Sequence, residues 1–189
     1  MIIAGFAGTG KSFFCEKNES AIDFVCMPFK YVNYYEVVQS SGIKGETIKA
    51  NDELVLREWW WDDYYWAIRD TQEKYPDQVI VIPTVYHILQ ELEEQDVPYM
   101  LVYPRKDAKD EYEKRYRDRG NTEEFIKIFT GRWEYWMEEL RMYKKAKIVE
   151  MKKGEYLSDV INIPPFDQNR IIPNKENYIF ERYLKNGML

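Results

Sequence analysis

Eight residues near the amino end, Gly5-Phe6-Ala7-Gly8-Thr9-Gly10-Lys11-Ser12, spell G-x-x-x-x-G-K-S directly after the apolar run Met1-Ile2-Ile3-Ala4. A loop of this spacing constrains the fold because it has to leave a buried strand and open a helix. Only then do successive backbone N–H groups converge on one anion. Gly5, Gly8 and Gly10 permit backbone conformations closed to residues with a Cβ. Lys11 can reach the β- and γ-phosphates of a nucleotide, and the Ser12 hydroxyl can ligate magnesium. With Thr9 between the last two glycines, the stretch predicts a site for ATP and Mg2+.

The rest of the chain alternates strand and helix patterns. A short helix is expected over 13–19 and a second strand over Ala21–Met27, stopped by Pro28. A long helix follows from an N-cap at Asn51 to Tyr75, then the β-branched strand Gln78–Ile82 and a helix from Pro83-Thr84 to Gln95. The fourth strand is Pro98–Tyr103. Beyond it come a charged helix over Asp107–Arg119 and a helix opened by Asn121, with Glu124 as capping-box partner. In that last helix Phe125, Phe129, Trp133, Trp136, Leu140 and Tyr143 recur at helical spacing. Ala146–Met151 reads as a fifth strand and Glu155–Ile161 as a final short helix. Strands separated by helices imply a parallel sheet with right-handed crossovers. The expected class is α/β: a three-layer P-loop NTPase fold, a five-stranded parallel sheet flanked by helices, and a helical lid. Residues 1–161 form that domain, and the proline-bearing, aromatic tail 162–189 packs on it.

Composition narrows the partners. A net charge of −6 argues against nonspecific binding of nucleic acid or anionic membrane. The two cysteines, Cys15 and Cys26, lack metal-ligand spacing and read as reduced, packed thiols. With no leader pattern before the loop and no apolar run of about 20 residues, the expectation is a cytoplasmic protein acting on small nucleotides.

Two absences bear on the class of phosphate-loop protein. The string Asn174-Lys175-Glu176-Asn177 lacks the Asp of a guanine-reading element, and the third strand runs into Pro83-Thr84 without a carboxylate. Asp23 would fall beside the loop only if the second strand ended earlier than Met27. The segment Leu101–Trp133 is more specific: a strand ending in Pro, then Glu111, Arg115, Arg119-Gly120 and an acidic helix start. With the loop, this resembles the P-loop nucleoside monophosphate kinases, guanylate kinases and small phage nucleotide kinases above all. Only the loop and the R-x-x-x-R-G segment match at motif level; element order matches over about residues 1–160.

The resemblance implies a lid over 105–121 and an acceptor region over 28–75. Glu111, Arg115 and Arg119 share one helix face. Two arginines at i,i+4 repel unless an anion lies between them or Glu111 pairs with Arg115. A planar guanidinium can grip two phosphate oxygens, so Arg115 and Arg119, with Lys11, are the expected catalytic residues. Arg105, Lys106, Arg117 and Arg132 are weaker candidates. For the acceptor, the candidates are Lys30, Tyr34, Arg57 and Tyr86, with Ser40, Ser41 and Thr84 nearby. Leu56, Trp60, Tyr64 and Ile68 recur every four residues and read as core, leaving Trp59, Trp61 and Tyr65 to point elsewhere. The Arg-rich segment and Ser that guanylate kinases carry after strand two are replaced here by Pro28-Phe29-Lys30-Tyr31-Val32-Asn33-Tyr34. The alternatives are a kinase of a nonnucleotide small molecule and a module that binds ATP without turnover.

Overall fold

The computed structural model describes residues 1–41 and 54–185, without the side chains of 39–41. Strands β1 (Ile2–Gly5) and β2 (Ala21–Asp23) are joined by α1 (Lys11–Lys17). Helices α2 (Met27–Lys30), α3 (Tyr34–Ser41) and α4 (Trp60–Lys74) precede β3 (Val79–Pro83). Then come α5 (Tyr86–Glu94), β4 (Tyr99–Pro104), a 3-10 turn over Lys106–Ala108 and α6 (Lys109–Asp118). The chain continues through α7 (Glu123–Gly131), α8 (Trp133–Leu140), β5 (Lys147–Met151) and α9 (Leu157–Val160). A 3-10 turn over Gln168–Arg170 and a π-helical turn over Phe180–Leu184 complete the tail.

The five strands form one parallel sheet in the order β2-β3-β1-β4-β5, flanked by helices. β1 is central, which explains its unbroken burial: Ile2, Ile3 and Ala4 have no exposed surface. From β1 the chain first builds one side of the sheet and then, with β4, the other. Such a reversal opens a crevice outside the carboxyl ends of the strands, where ligands of open α/β sheets bind. The loop after Gly5 lies in that crevice.

Several expected boundaries move. β2 stops at Asp23, not Met27, because the chain turns at Val25, whose N–H donates to the Asp23 carbonyl at 3.0 Å. α4 begins at Trp60; the expected cap at Asn51 and Gly42 and Gly45 lie outside the described residues. Leu56 is 59 % exposed rather than core, since it sits in an antiparallel bridge with Tyr31 and the four-residue spacing to Trp60 is not helical there. The helix expected from Asn121 starts one residue later: Thr122 is the cap, its Oγ1 accepting from the Phe125 N–H at 3.2 Å. That helix also breaks at Arg132 into α7 and α8, and its deepest positions are Ile126, Thr130, Trp133, Met137 and Leu140. Among the described residues no helix is long and apolar enough to cross a membrane.

Candidate functional site

The glycine loop is held through its carbonyl groups, partly by its own Lys11 and Thr9 and partly by the elements around it. Lys11 Nζ donates to the Gly5 and Phe6 carbonyls at 3.1 and 3.2 Å, and Thr9 Oγ1 donates to Phe6 at 2.8 Å. The Ala7 carbonyl accepts from the Tyr116 hydroxyl at 3.0 Å, and Gly8 from Arg115 Nη1 at 3.1 Å. The Leu157 N–H donates to Thr9 at 2.8 Å, and the Phe14 N–H to Gly10 at 3.0 Å. Six consecutive carbonyls, Gly5 to Gly10, are thus occupied. The N–H groups of Ala7, Gly8 and Gly10 have no acceptor among the described residues. Those of Lys11 and Ser12 are first-turn positions without an intrahelical partner.

The backbone dihedrals explain the glycines. Gly8 and Gly10 have φ of 81° and 86°, in the left-handed region that disfavours a Cβ. Space matters equally. A Cβ on Gly8 would lie 2.9 Å from the Tyr116 ring, and one on Gly10 would lie 3.1 Å from Tyr156. Phe6, a free position in the motif, is 2 % exposed and packs edge-on against Phe129 and Trp133 at 5.6 and 5.8 Å. The loop therefore rests on α6, α7, α8 and the start of α9.

Asp23 joins this site because β2 ends early. Ser12 Oγ donates to Asp23 Oδ2 at 2.6 Å, so the hydroxyl and a carboxylate stand together beside the loop. The sequence offered no carboxylate at the tips of the third or fourth strands. The one that reaches the loop comes from β2, and the signal for it was the polar residue interrupting Ala21-Ile22-Asp23-Phe24-Val25.

Arg115 lies behind the loop. Its side chain is 9 % exposed, ion-paired with Glu111, and bonded to the Glu155 carbonyl at 2.9 Å as well as to Gly8. The guanidinium lies over the rings of Tyr156 and Tyr112, at 3.9 and 4.7 Å. Of the two ways to relieve the arginine pair, the chain uses Glu111, which also accepts from the Gly154 N–H at 2.9 Å. Arg119 sits four residues on, exposed at the end of α6. Arg117 pairs with Glu113 and Glu123, Lys106 with Glu134 and Glu138, and Arg105 with Asp107. Arg132 reaches towards the Tyr135 ring at 5.9 Å.

On the β2–β3 side, the chain is clipped where it leaves and returns. Arg57 N–H donates to the Lys30 carbonyl and Val32 N–H to Val55, both at 2.9 Å. This sets the backbones of Lys30 and Arg57 side by side. Lys30 Nζ lies over the Tyr31 and Trp60 rings. Arg57 is 3.9 Å from Asp63, and its Nε is buried without a hydrogen-bond partner among the described residues. Tyr34 is buried edge-on against Tyr35, away from the surface where a contact residue is needed. Tyr86 is exposed and its hydroxyl accepts from Gln90 at 2.7 Å. The side chains of Ser40 and Ser41 are outside the description.

Neither a protein-family model nor a curated protein matches the chain.

Proposed function

We propose that this chain is a P-loop kinase that transfers the γ-phosphoryl group of ATP·Mg2+ to a nucleoside monophosphate or a related phosphorylated small molecule. The observation that carries the reading is the outward tying of the Ala7, Gly8 and Thr9 carbonyls to Tyr116, Arg115 and Leu157, with Lys11 and the Ser12–Asp23 pair at the same loop. Carbonyls drawn outward leave N–H groups turned inward, which is the form of an anion nest. The position at the carboxyl edge of a central parallel strand supports it further.

The residues present fit magnesium. Mg2+ bound with nucleotide takes one or two protein oxygens and fills its other positions with phosphate and water. A serine hydroxyl backed by a carboxylate suits that demand, and no cluster of three or more His, Cys, Asp or Glu side chains suited to a metal occurs among the described residues. The ion would neutralise charge on the β- and γ-phosphates. Lys11 would exchange its two loop carbonyls for phosphate oxygens. Asp23 would orient Ser12 and accept from a metal-bound water. Arg119 would close on the transferring group, and Arg57 with Lys30 would hold the acceptor phosphate. In the transfer an acceptor phosphate oxygen bonds to the γ-phosphorus as the bond to the β-bridging oxygen breaks, and ADP leaves with that electron pair. Catalysis is positioning and charge neutralisation.

One observation favours a second reading, a nucleotide-binding module without turnover. Arg115 is committed to the loop backbone and Glu111, so as a brace it cannot also clamp phosphate. Incubation with ATP·Mg2+ and a panel of ribo- and deoxynucleoside monophosphates, with ADP followed by chromatography, separates the two. Acceptor-dependent ADP is the expected result, with Arg119→Ala lowering turnover by orders of magnitude and leaving ATP affinity within a few-fold. Binding without turnover on any acceptor would establish the module instead.

A further inference from the structure

We propose that Trp59, Trp61 and His87 form an aromatic platform that holds the planar base of the phosphoryl acceptor beside the glycine loop. This deepens the phosphoryl-transfer reading and rests on it for the identity of the ligand. The rings come from two elements. Trp59 and Trp61 open α4, and His87 lies in the first turn of α5. Trp61 stacks on His87 with centroids 4.5 Å apart and planes 19° from parallel, and Trp59 meets Trp61 at 5.4 Å, nearer perpendicular. Trp60 between them is buried in the core; Trp61 is half-buried against that core and Trp59 is exposed.

The location follows from topology. α5 starts three residues after Pro83, which pairs in register with Gly5, the residue that begins the loop. The start of α4 is fixed to the tip of β2 by the Tyr64 hydroxyl, which donates to the carbonyl of Phe24, the residue after Asp23. Both elements therefore present their amino ends at the carboxyl edge of β2 and β3, on the side of the loop opposite α6.

Trp59 carries the second observation. It has φ of 55°, a left-handed conformation that is an outlier for a bulky residue, and its side chain is 65 % exposed. A glycine or asparagine would satisfy that backbone at less cost, and a polar side chain would satisfy the exposure. The position instead holds a large, exposed ring. Strain of this kind points to a site where the side chain is wanted. Two residues earlier stands Arg57, whose Nε has no hydrogen-bond partner among the described residues. Glu58 and Trp59 form a turn, so Arg57 and Trp59 stand close along the chain, where one nucleoside monophosphate can offer its phosphate to the first and its base to the second. Base-on-aromatic stacking tolerates any base, because each has a π-face.

The test is equilibrium binding by isothermal titration on the full chain, first with a nonhydrolysable ATP analogue and Mg2+. AMP, GMP, CMP, UMP, dTMP and ribose 5-phosphate are then titrated separately. We expect at least one nucleoside monophosphate to bind tenfold or more tightly than ribose 5-phosphate. Trp59→Gly should remove about five- to hundredfold of that affinity, and Trp59→Phe should keep most of it. Glycine suits the left-handed backbone, so Trp59→Gly should unfold at the same temperature as the parent or higher. Loss of binding then reports the ring and not the fold. No advantage for the base, or unchanged affinity in Trp59→Gly, overturns the platform. The analogue's own titration reports on the triphosphate site separately, so failure there leaves the platform result readable.

Discussion

Gly8 and Gly120 both have left-handed backbone, with φ of 81° and 73°, but only Gly8 is crowded, by Tyr116 and Tyr112. Gly120→Ala should cost about 1 kcal/mol, the backbone penalty alone. Gly8→Ala should cost about 2–4 kcal/mol, because the rings of α6 must also shift. Thermal unfolding of the two variants checks the difference, at roughly 2–4 °C per kcal/mol for a chain of this size. Cys15 gives a second expectation. Burial, and then the charge of Asp23, push its thiol well above the ordinary value, so little thiolate forms near neutrality. In alkylation at pH 8 followed by mass spectrometry, Cys15 should label only on unfolding and half-buried Cys26 should label first. Rapid labelling of Cys15 in the folded protein would contradict its placement. The loop residues themselves were legible in the sequence because their spacing is local. Asp23 was not assigned there: its role depends on where β2 ends, and the apolar run to Met27 hides that boundary.

Helix α6 shows what periodicity reveals and what it leaves open. The spacing put Glu111, Arg115 and Arg119 on one face; in the structure Glu111 and Arg115 pair along α6, and Arg119 is the cap just past its end. It could not say whether that face met a ligand or the protein, since both offer partners to a guanidinium. Arg115→Met should destabilise by about 2–4 kcal/mol, because Glu111 then loses its mostly buried partner and two carbonyls lose their donor. A denaturant midpoint unchanged by that substitution would argue against the brace. At α7 the error was one residue: Asn121 and Thr122 are both good caps, and Glu124 made the first look favoured. Thr122→Ala should cost about 1 kcal/mol, and Asn121→Ala should cost less; paired unfolding curves decide between them.

The tail ties distant parts of the chain together. Lys175 Nζ donates to the carbonyls of Cys15, Asn18 and Ala21, closing the carboxyl end of α1. Tyr183 is fully buried, its hydroxyl bonding Thr71 at 2.7 Å and Asp70 at 2.8 Å, while Arg182 pairs with Asp70 on α4. Lys175→Met should lower stability by about 1–3 kcal/mol by leaving three carbonyls without their cation, and it should loosen α1, the helix that carries Lys11 and Ser12. The parallel sheet was readable from alternating strands and helices, but its order was not. Strand neighbours are chosen by long-range packing, which no local pattern encodes. The function proposed for this assembly stands on the loop taking a polyphosphate. Its most direct measurement is the shift in thermal midpoint on adding ATP·Mg2+ to the parent and to Lys11→Ala, each against its own unliganded baseline. At a hundredfold excess over Kd, the parent should gain about 2.7 kcal/mol, and the variant should gain little or nothing. Equal shifts in both proteins, or none in either, would contradict the proposal.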